Sequence, residues 1–158
     1  MDVEGLAEGM TGALQITTTD NICLVINSDA SGEGMRPSLT PPYVSSLTEL
    51  LQAFRLDPYK TPCAVILSGA EASSSTKLSG GFSAGSDLSL LHQVASGHYA
   101  ARRAPVDEVN ALVRAVRSCP CPVIASVEGG ADGAGMALML ACDLIVADRA
   151  ASFTAGQL

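Results

Sequence analysis

The stretch from Pro120 to Ala147 constrains the fold more than any other part of the chain. A β-branched apolar run is followed there by clustered glycines, by an Ala/Met/Leu segment, and by a second apolar run from Leu144 to Ala147. This order predicts a strand, a tight turn, a helix and another strand. Amide groups at a helix start are unpaired and partly positive, so such a turn can hold an oxyanion or a phosphate. The alternative is a turn that only lets the helix pack closely on the sheet.

Composition predicts a single globular domain. The chain has 158 residues, of which 47% are hydrophobic and 16% charged, and it has no tryptophan, so its core must be largely aliphatic. A net charge of −7 disfavours nucleic acid and anionic membrane surfaces as partners. No apolar run reaches the roughly 18 residues of a membrane span, and the acidic N-terminus is unlike a targeting peptide. We expect a soluble intracellular protein, with cytoplasm, mitochondrion and peroxisome not distinguished.

The five cysteines are expected to be small buried apolar residues in a reducing compartment, because four of them lie in or beside apolar patterns. Cys119-Pro120-Cys121 has one residue between its thiols and no second pair elsewhere. A zinc or redox site is therefore not expected, and no metal is predicted.

Periodicity divides the rest of the chain into short elements. A β-rich hairpin, a loop, an amphipathic helix with a Thr-Pro-Pro start and a further strand are predicted in that order after a loose tail. The residues are 1–12 for the tail, 14–18 and 22–26 for the hairpin, 27–42 for the loop, 41–54 for the helix and 63–67 for the strand.

The second half of the chain contains another small-residue segment. Residues 69–81 are Ser-rich and predict a surface loop, and Gly80 to Leu88 predicts a second turn whose Ser86-Asp87 caps a helix. Val106 to Val116 then repeats apolar residues at helical spacing. Helices alternating with strands favour a layered α/β fold.

Two long motifs now stand in order. The first is Phe82-Ser83-Ala84-Gly85-Ser86-Asp87-Leu88; the second is Pro122-Val123-Ile124-Ala125-Ser126-Val127-Glu128-Gly129 with Gly133-Ala134-Gly135 and Leu140-Ala141-Cys142-Asp143 after it. Together they resemble the crotonase superfamily, the enoyl-CoA hydratase and isomerase family. The resemblance extends from about Leu14 to Leu158.

The resemblance implies an α/β, crotonase-like (ββα)n spiral over residues 13–158, truncated before the family's C-terminal helical region. It implies a lyase or isomerase of fatty acid metabolism that binds acyl-CoA thioesters, with coenzyme A as part of the substrate and no separate cofactor. Members of the family form trimers, so a homo-oligomer is expected. Without the C-terminal helices, an apolar face is expected to be exposed.

The family also implies site residues. Its thioester oxygen is held by two backbone N–H groups, which correspond here to Ser86 and Ala134. Such donors stabilise an enolate oxyanion because they are already oriented.

Coenzyme A is expected along the loop with Arg36 and Leu39 and beside Ala84. Arg36 or Lys60 is a candidate phosphate contact, with a solvated surface charge as the alternative for each.

The chain departs from the hydratase pattern at both glutamate positions, which hold Ala137 and Gln157. Alanine cannot transfer a proton and glutamine can only orient a group, so a two-glutamate hydration mechanism is not expected.

Asp132, Glu128, His98 and Tyr99 are alternative proton-transfer candidates, each with a turn or surface role as the other interpretation. Two functions remain open. One is an enzyme that stabilises a CoA-thioester enolate, and the other is a non-catalytic acyl-CoA-binding or protein-interaction module.

Overall fold

The computed structural model describes residues 14–28, 36–70, 80–87 and 99–155. Within these ranges the strands are β1 (Leu14–Thr19), β2 (Ile22–Asn27), β3 (Ala64–Gly69), β4 (Gly81–Ser83), β5 (Val123–Val127), β6 (Gly130–Asp132), β7 (Leu144–Ala147) and β8 (Ser152–Thr154). The helices are α1 (Pro41–Leu56), α2 (Tyr99–Arg117) and α3 (Ala134–Ala141), with a short 3-10 helix at Pro58–Lys60. The predicted tail, most of the Ser-rich loop and the start of the helix expected after Asp87 lie outside the described residues.

The predicted hairpin is confirmed. β1 and β2 pair in antiparallel register, with Thr19 opposite Ile22. The two turn residues between them, Asp20 and Asn21, have φ of 50° and 64°. Left-handed backbone at both central residues suits the twist of a two-residue hairpin, and Asp and Asn tolerate it better than most residues.

A five-stranded sheet, the large sheet, carries most of the core. Its order is β1-β2-β3-β5-β7, and β2, β3, β5 and β7 run parallel. Val65 of β3, flanked by Cys23 and Val123 of the neighbouring strands, is fully buried, as are both neighbours. The carboxyl ends of these strands meet at one edge, where ligands bind in sheets of this kind.

Helix α1 confirms the predicted amphipathic helix. The Thr40 hydroxyl accepts a hydrogen bond from Tyr43 N at 3.4 Å, and Pro41 takes the first helical position. Both features suit a helix start. The apolar residues expected to face the core are all at most 3% exposed: Val44, Leu47, Leu50, Leu51 and Phe54.

Helix α2 differs from its prediction at its start. It begins at Tyr99 rather than near Val106, and it runs through Pro105. A proline removes only its own N–H bond, and the Ala/Arg-rich residues before it have good helix propensity. Val106 was expected on the apolar face, but it is 59% exposed.

A three-stranded sheet, the small sheet, was not predicted. Its order is β4-β6-β8 and its pairs are parallel, although the sequence had indicated plain turns at both glycine clusters. Glycine has low strand propensity, so the residue pattern at the glycine clusters does not indicate strands. Glycine is needed at the end of β3, because a Cβ on Gly69 would overlap the Gly81 carbonyl of β4.

Three cysteines confirm the expected burial. Cys23, Cys121 and Cys142 are at most 7% exposed, but the expectation of burial is wrong for Cys63, which is exposed, and for Cys119, which is partly exposed. Burial raises the pKa of the Cys23 thiol to about 11 and that of Cys142 to about 12. These thiols are therefore neutral apolar groups at physiological pH.

An apolar face is exposed where β7 and β8 form one edge of the two sheets, as expected. The residues that carry it are Leu140, Leu144, Ile145, Val146 and Phe153, all more than 40% exposed. None of the described helices combines the length and the hydropathy needed to cross a bilayer.

Candidate functional site

The 36–39 segment lies beside the end of β4. Ala84 N donates to Pro37 O at 2.7 Å, and Leu39 N donates to Gly85 O at 2.8 Å. Leu39 and Ser86 form a parallel bridge. The 36–39 segment therefore pairs with the residues that follow β4, whereas β6 pairs with β4 itself.

The peptide group between Gly85 and Ser86 has a defined direction. Its carbonyl oxygen faces Leu39, and no described peptide bond is cis. In a trans peptide the N–H points opposite to the C=O. The Ser86 N–H consequently points away from Leu39.

The turn before α3 presents the second amide. Gly133 takes φ of 49° and ψ of −117° as the N-cap, and Ala134 is the first helical residue. Gly133 O accepts from Ala137 N at 3.1 Å, so the Ala134 N–H in the same peptide group points outward from the helix start. Gly133 N donates to Thr154 O at 2.9 Å, which ties the turn to β8.

Glycines let the two backbones approach each other. Gly85 has φ of 91°, and a Cβ there would lie 2.8 Å from Asp132 O and 3.6 Å from Ala134 N. A Cβ on Gly135 would lie 2.5 Å from the Cβ of Ser83. Side chains at either position would push the turn before α3 away from the end of β4.

Two buried polar residues that sequence reasoning missed hold these segments. Ser83 is 1% exposed, and its Oγ accepts from Gly85 N at 3.1 Å. Asn27, 2% exposed, donates from Nδ2 to Ser38 O at 3.0 Å. The available signal was a polar residue that ends an apolar strand, since a buried polar group needs a partner.

Arg36 and Asp132, predicted for separate roles, form an ion pair. Arg36 Nη2 lies 2.5 Å from Asp132 Oδ2, with the side chains 33% and 18% exposed. This Arg36–Asp132 pair connects the 36–39 segment to the end of β6. Glu128, the other carboxylate near the turn, is exposed after β5.

The remaining predicted contacts fall into two places. Leu39 is 3% exposed and Ala84 is partly buried, and both lie beside Ser86. Lys60 lies in the 3-10 helix before β3, at the end of β3 opposite to Gly69. Its Nζ is 3.6 Å from Asp57 Oδ2. The structure does not bring Lys60 together with the other predicted residues.

The proton-transfer positions are described only in part. Ala137 is exposed on α3, one turn after Ala134. His98 and Gln157 lie outside the described residues, and Tyr99 opens α2 without a described side chain.

Two cavities are lined by described residues, and neither is lined by both Ser86 and Ala134. A cavity of about 310 Å³ lies between α1 and α2, and one of about 10 Å³, enough for one water, touches Ser86 and Glu108. Among the described side chains, no three His, Cys, Asp or Glu residues are grouped so as to hold a metal ion.

Comparison with known proteins identifies the family. Residues 36–158 match the family model described as enoyl-CoA hydratase/isomerase. A Rhodobacter capsulatus protein described as "Probable enoyl-CoA hydratase" is 47% identical over 47 residues, which are 30% of this chain and 18% of that protein.

Solved structures of enoyl-CoA hydratases are also similar to this chain. One from Polaromonas sp. JS666 has a TM-score of 0.76 and 29% identity, over 90% of this chain and 50% of its own. Another, from Shewanella pealeana, has a TM-score of 0.78 and 22% identity, over 97% of this chain and 52% of its own, which bears on the fold alone. The chain thus spans about half the length of these structures. With its crotonase fold and its family match, the protein belongs to the enoyl-CoA hydratase/isomerase family.

Proposed function

We propose that this chain binds acyl-CoA thioesters and stabilises an enolate oxyanion with the backbone amides of Ser86 and Ala134. The observation that carries the proposal is the direction of the Gly85–Ser86 peptide, whose carbonyl is bonded to Leu39 N at 2.8 Å. Its N–H therefore points away from Leu39, and the turn that approaches Gly85 ends at Ala134, whose amide belongs to the first residue of α3. The close approach of Gly85 to that turn supports a common acceptor for both amides.

The physical advantage of this arrangement is that the donors are fixed before the reaction. Glycine conformation, the Gly133–Thr154 bond and the Leu39–Gly85 bond orient the two amides without a ligand. A donor that needs no reorganisation stabilises developing charge, and removal of one such donor costs about 3 kcal/mol of barrier. The coenzyme A moiety of the substrate would follow Leu39 and Ala84, which lie next to Ser86.

The reaction itself is expected to differ from two-glutamate hydration. Ala137 occupies the exposed position on α3 where a hydratase has a carboxylate, and it cannot activate water. We therefore expect weak or no hydration of crotonyl-CoA. Hydration at ordinary enzymatic rates would contradict this expectation.

The same residue favours a second function. With Ala137 in place of a carboxylate, the two amides would bind a thioester oxygen without proton transfer. The chain would then be a non-catalytic acyl-CoA-binding or protein-interaction module. Exchange of the α-protons of butyryl-CoA in D₂O, together with turnover of crotonyl-CoA and of a 3-enoyl-CoA, separates the two functions.

The test of the amides uses Ala134→Pro. Proline removes the N–H and is favoured at the first helical position, and Ala134→Ser keeps the N–H as the matched control. Hydrogen bonds to the thioester oxygen weaken its C=O bond and lower the C=O stretching frequency. Raman difference spectroscopy of bound crotonyl-CoA measures this frequency.

We expect wild type and Ala134→Ser to lower this frequency and Ala134→Pro to lose most of the shift. If wild type exchanges α-protons, Ala134→Pro should slow the exchange about 100-fold or more. A carbonyl shift without exchange would identify the non-catalytic module. No carbonyl shift in wild type would overturn the proposed function.

A further inference from the structure

The Arg36–Asp132 pair stands where the two halves of the candidate site join. Asp132 is the last residue of β6 and is followed by Gly133 and Ala134. Arg36 precedes the two residues that bond to the end of β4, Pro37 and Leu39. Asp132 thus precedes the turn that presents Ala134, and Arg36 begins the segment that bonds to the residues beside Ser86.

The small sheet is shaped around Arg36. A Cβ on Gly81 would lie 2.7 Å from Arg36 Cδ, and a Cβ on Gly130 would overlap the guanidinium. The arginine therefore lies across β4 and β6, with its stem over one glycine and its charged end over the other. Two paired strands that both lack a side chain at the contact provide the space for this side chain.

Burial and charge also favour a connecting role. Asp132 keeps only 18% of its side chain exposed, and its carboxylate is engaged by Arg36. Partly buried charged groups at such short range hold their geometry better than a fully exposed pair does. A shift of Arg36 would move Asp132, and with it the turn that begins at Gly133.

We propose that Arg36 and Asp132 are positioning residues that set the spacing between the Ser86 and Ala134 amides. This inference rests on the proposed function. It differs from the roles expected from the sequence, in which Arg36 contacts a coenzyme A phosphate and Asp132 transfers a proton. Here both residues act through the backbone that they hold.

The experiment compares Arg36→Gln, Asp132→Asn and the double variant. Crotonyl-CoA and the corresponding crotonyl-pantetheine thioester, which lacks every phosphate, are the two ligands. Each single variant should weaken binding of both ligands about tenfold and reduce the carbonyl shift. The double variant should be no worse than either single one, because residues that act as one unit are not additive.

Two results would overturn the positioning role. If Arg36→Gln weakens binding of crotonyl-CoA but not of crotonyl-pantetheine, Arg36 is a phosphate contact. If Asp132→Asn abolishes α-proton exchange while the carbonyl frequency stays at the wild-type value, Asp132 is a proton-transfer group. Arg55→Gln, at an exposed position in the last turn of α1, is the control for loss of a single positive charge.

Amide hydrogen exchange of the free protein makes the inference testable without a ligand. Arg36→Gln and Asp132→Asn should speed exchange of the Gly133 amide, which donates to Thr154 O, with no further gain in the double variant. Unchanged exchange and an unchanged carbonyl shift would overturn the positioning role alone. Faster exchange with no carbonyl shift in wild type would support the connection between the segments and overturn the proposed function.

Discussion

The large and small sheets are stabilised by different parts of the chain. The strands of the large sheet bring fully buried side chains such as Val65, Leu67 and Val123 into one core. The strands of the small sheet have three residues each, and glycines at positions 81 and 130 make room for Arg36. Side-chain burial supports both sheets, but the large sheet contributes more buried side chains, and one ion pair adds to the small sheet.

This difference assigns separate tasks to the two sheets. Burial of aliphatic side chains supplies most of the free energy of folding. The small sheet adds fewer buried side chains, Phe82, Ser83 and Ala131, and its strands lead into the backbone amides on which the proposed chemistry depends. Substitutions in the large sheet should mainly change stability, and substitutions in the small sheet should mainly change thioester binding.

The largest expected effect is that of Leu67→Ala in β3. Leu67 is 0% exposed, so the substitution leaves a cavity and should lower the free energy of unfolding by about 2–5 kcal/mol. Urea denaturation, monitored by circular dichroism, measures this change in the free energy of unfolding. Leu144→Ala is the matched control in the same sheet, because Leu144 is 59% exposed, and it should cost about 0.5 kcal/mol or less. Equal losses would contradict the assignment of stability to the buried face.

A second substitution tests the small sheet. Gly135→Ala would bring a Cβ to 2.5 Å from the Cβ of Ser83, and overpacking of this kind costs about 1–3 kcal/mol. The turn before α3 should shift, so the carbonyl shift of bound crotonyl-CoA should fall as well. Adding Ser83→Gly removes the clash and should recover part of the stability. A Gly135→Ala protein with wild-type stability and binding would remove the distinction between the sheets.

Alkaline pH should weaken the large sheet through Cys23. Burial raises the pKa of its thiol from 9.0 to about 11, so the unfolded state loses this proton at lower pH than the folded state. The stabilisation from the neutral thiol is complete below about pH 9 and is lost as pH rises toward 11. Between pH 8 and 10.5 the contribution of Cys23 to the free energy of unfolding should fall by about 1–2 kcal/mol, measured by urea unfolding. Cys23→Ala should have a shallower pH dependence, and an equal one would contradict this origin.

The smallest effect is expected at the end of β3 far from the site. Lys60→Gln removes an exposed ion pair and should change the free energy of unfolding by less than about 1 kcal/mol. Binding of crotonyl-CoA should not change, since Lys60 lies at the opposite end of β3 from the Gly69–Gly81 contact. Weaker binding of crotonyl-CoA with unchanged binding of crotonyl-pantetheine would instead make Lys60 the phosphate contact.

The elements that the sequence predicted are those in which local signals and burial agree. The hairpin has alternating apolar residues around Asp20-Asn21, and α1 has its Thr-Pro-Pro start and helical spacing. Both were confirmed within two residues. The alternation of helices and strands also indicated the α/β class correctly.

The elements that the sequence missed depend on contacts distant along the chain. Glycines at positions 69, 81 and 130 let β4 approach β3 and leave room for Arg36 over β4 and β6, and no local pattern in the sequence indicates these contacts. The Arg36–Asp132 pair joins residues that are 96 positions apart in the sequence, and they meet only once the strands are assembled. In α2, helix propensity ahead of Pro105 outweighed the one hydrogen bond that proline removes.

Both proposed donor amides belong to peptide groups whose carbonyls already accept a hydrogen bond. Gly85 O accepts from Leu39 N, and Gly133 O accepts from Ala137 N. A bond accepted at the oxygen draws electron density through the peptide and makes its N–H more acidic. Loosening of Leu39 would therefore weaken Ser86 as a donor electronically, even if no atom near the thioester moved.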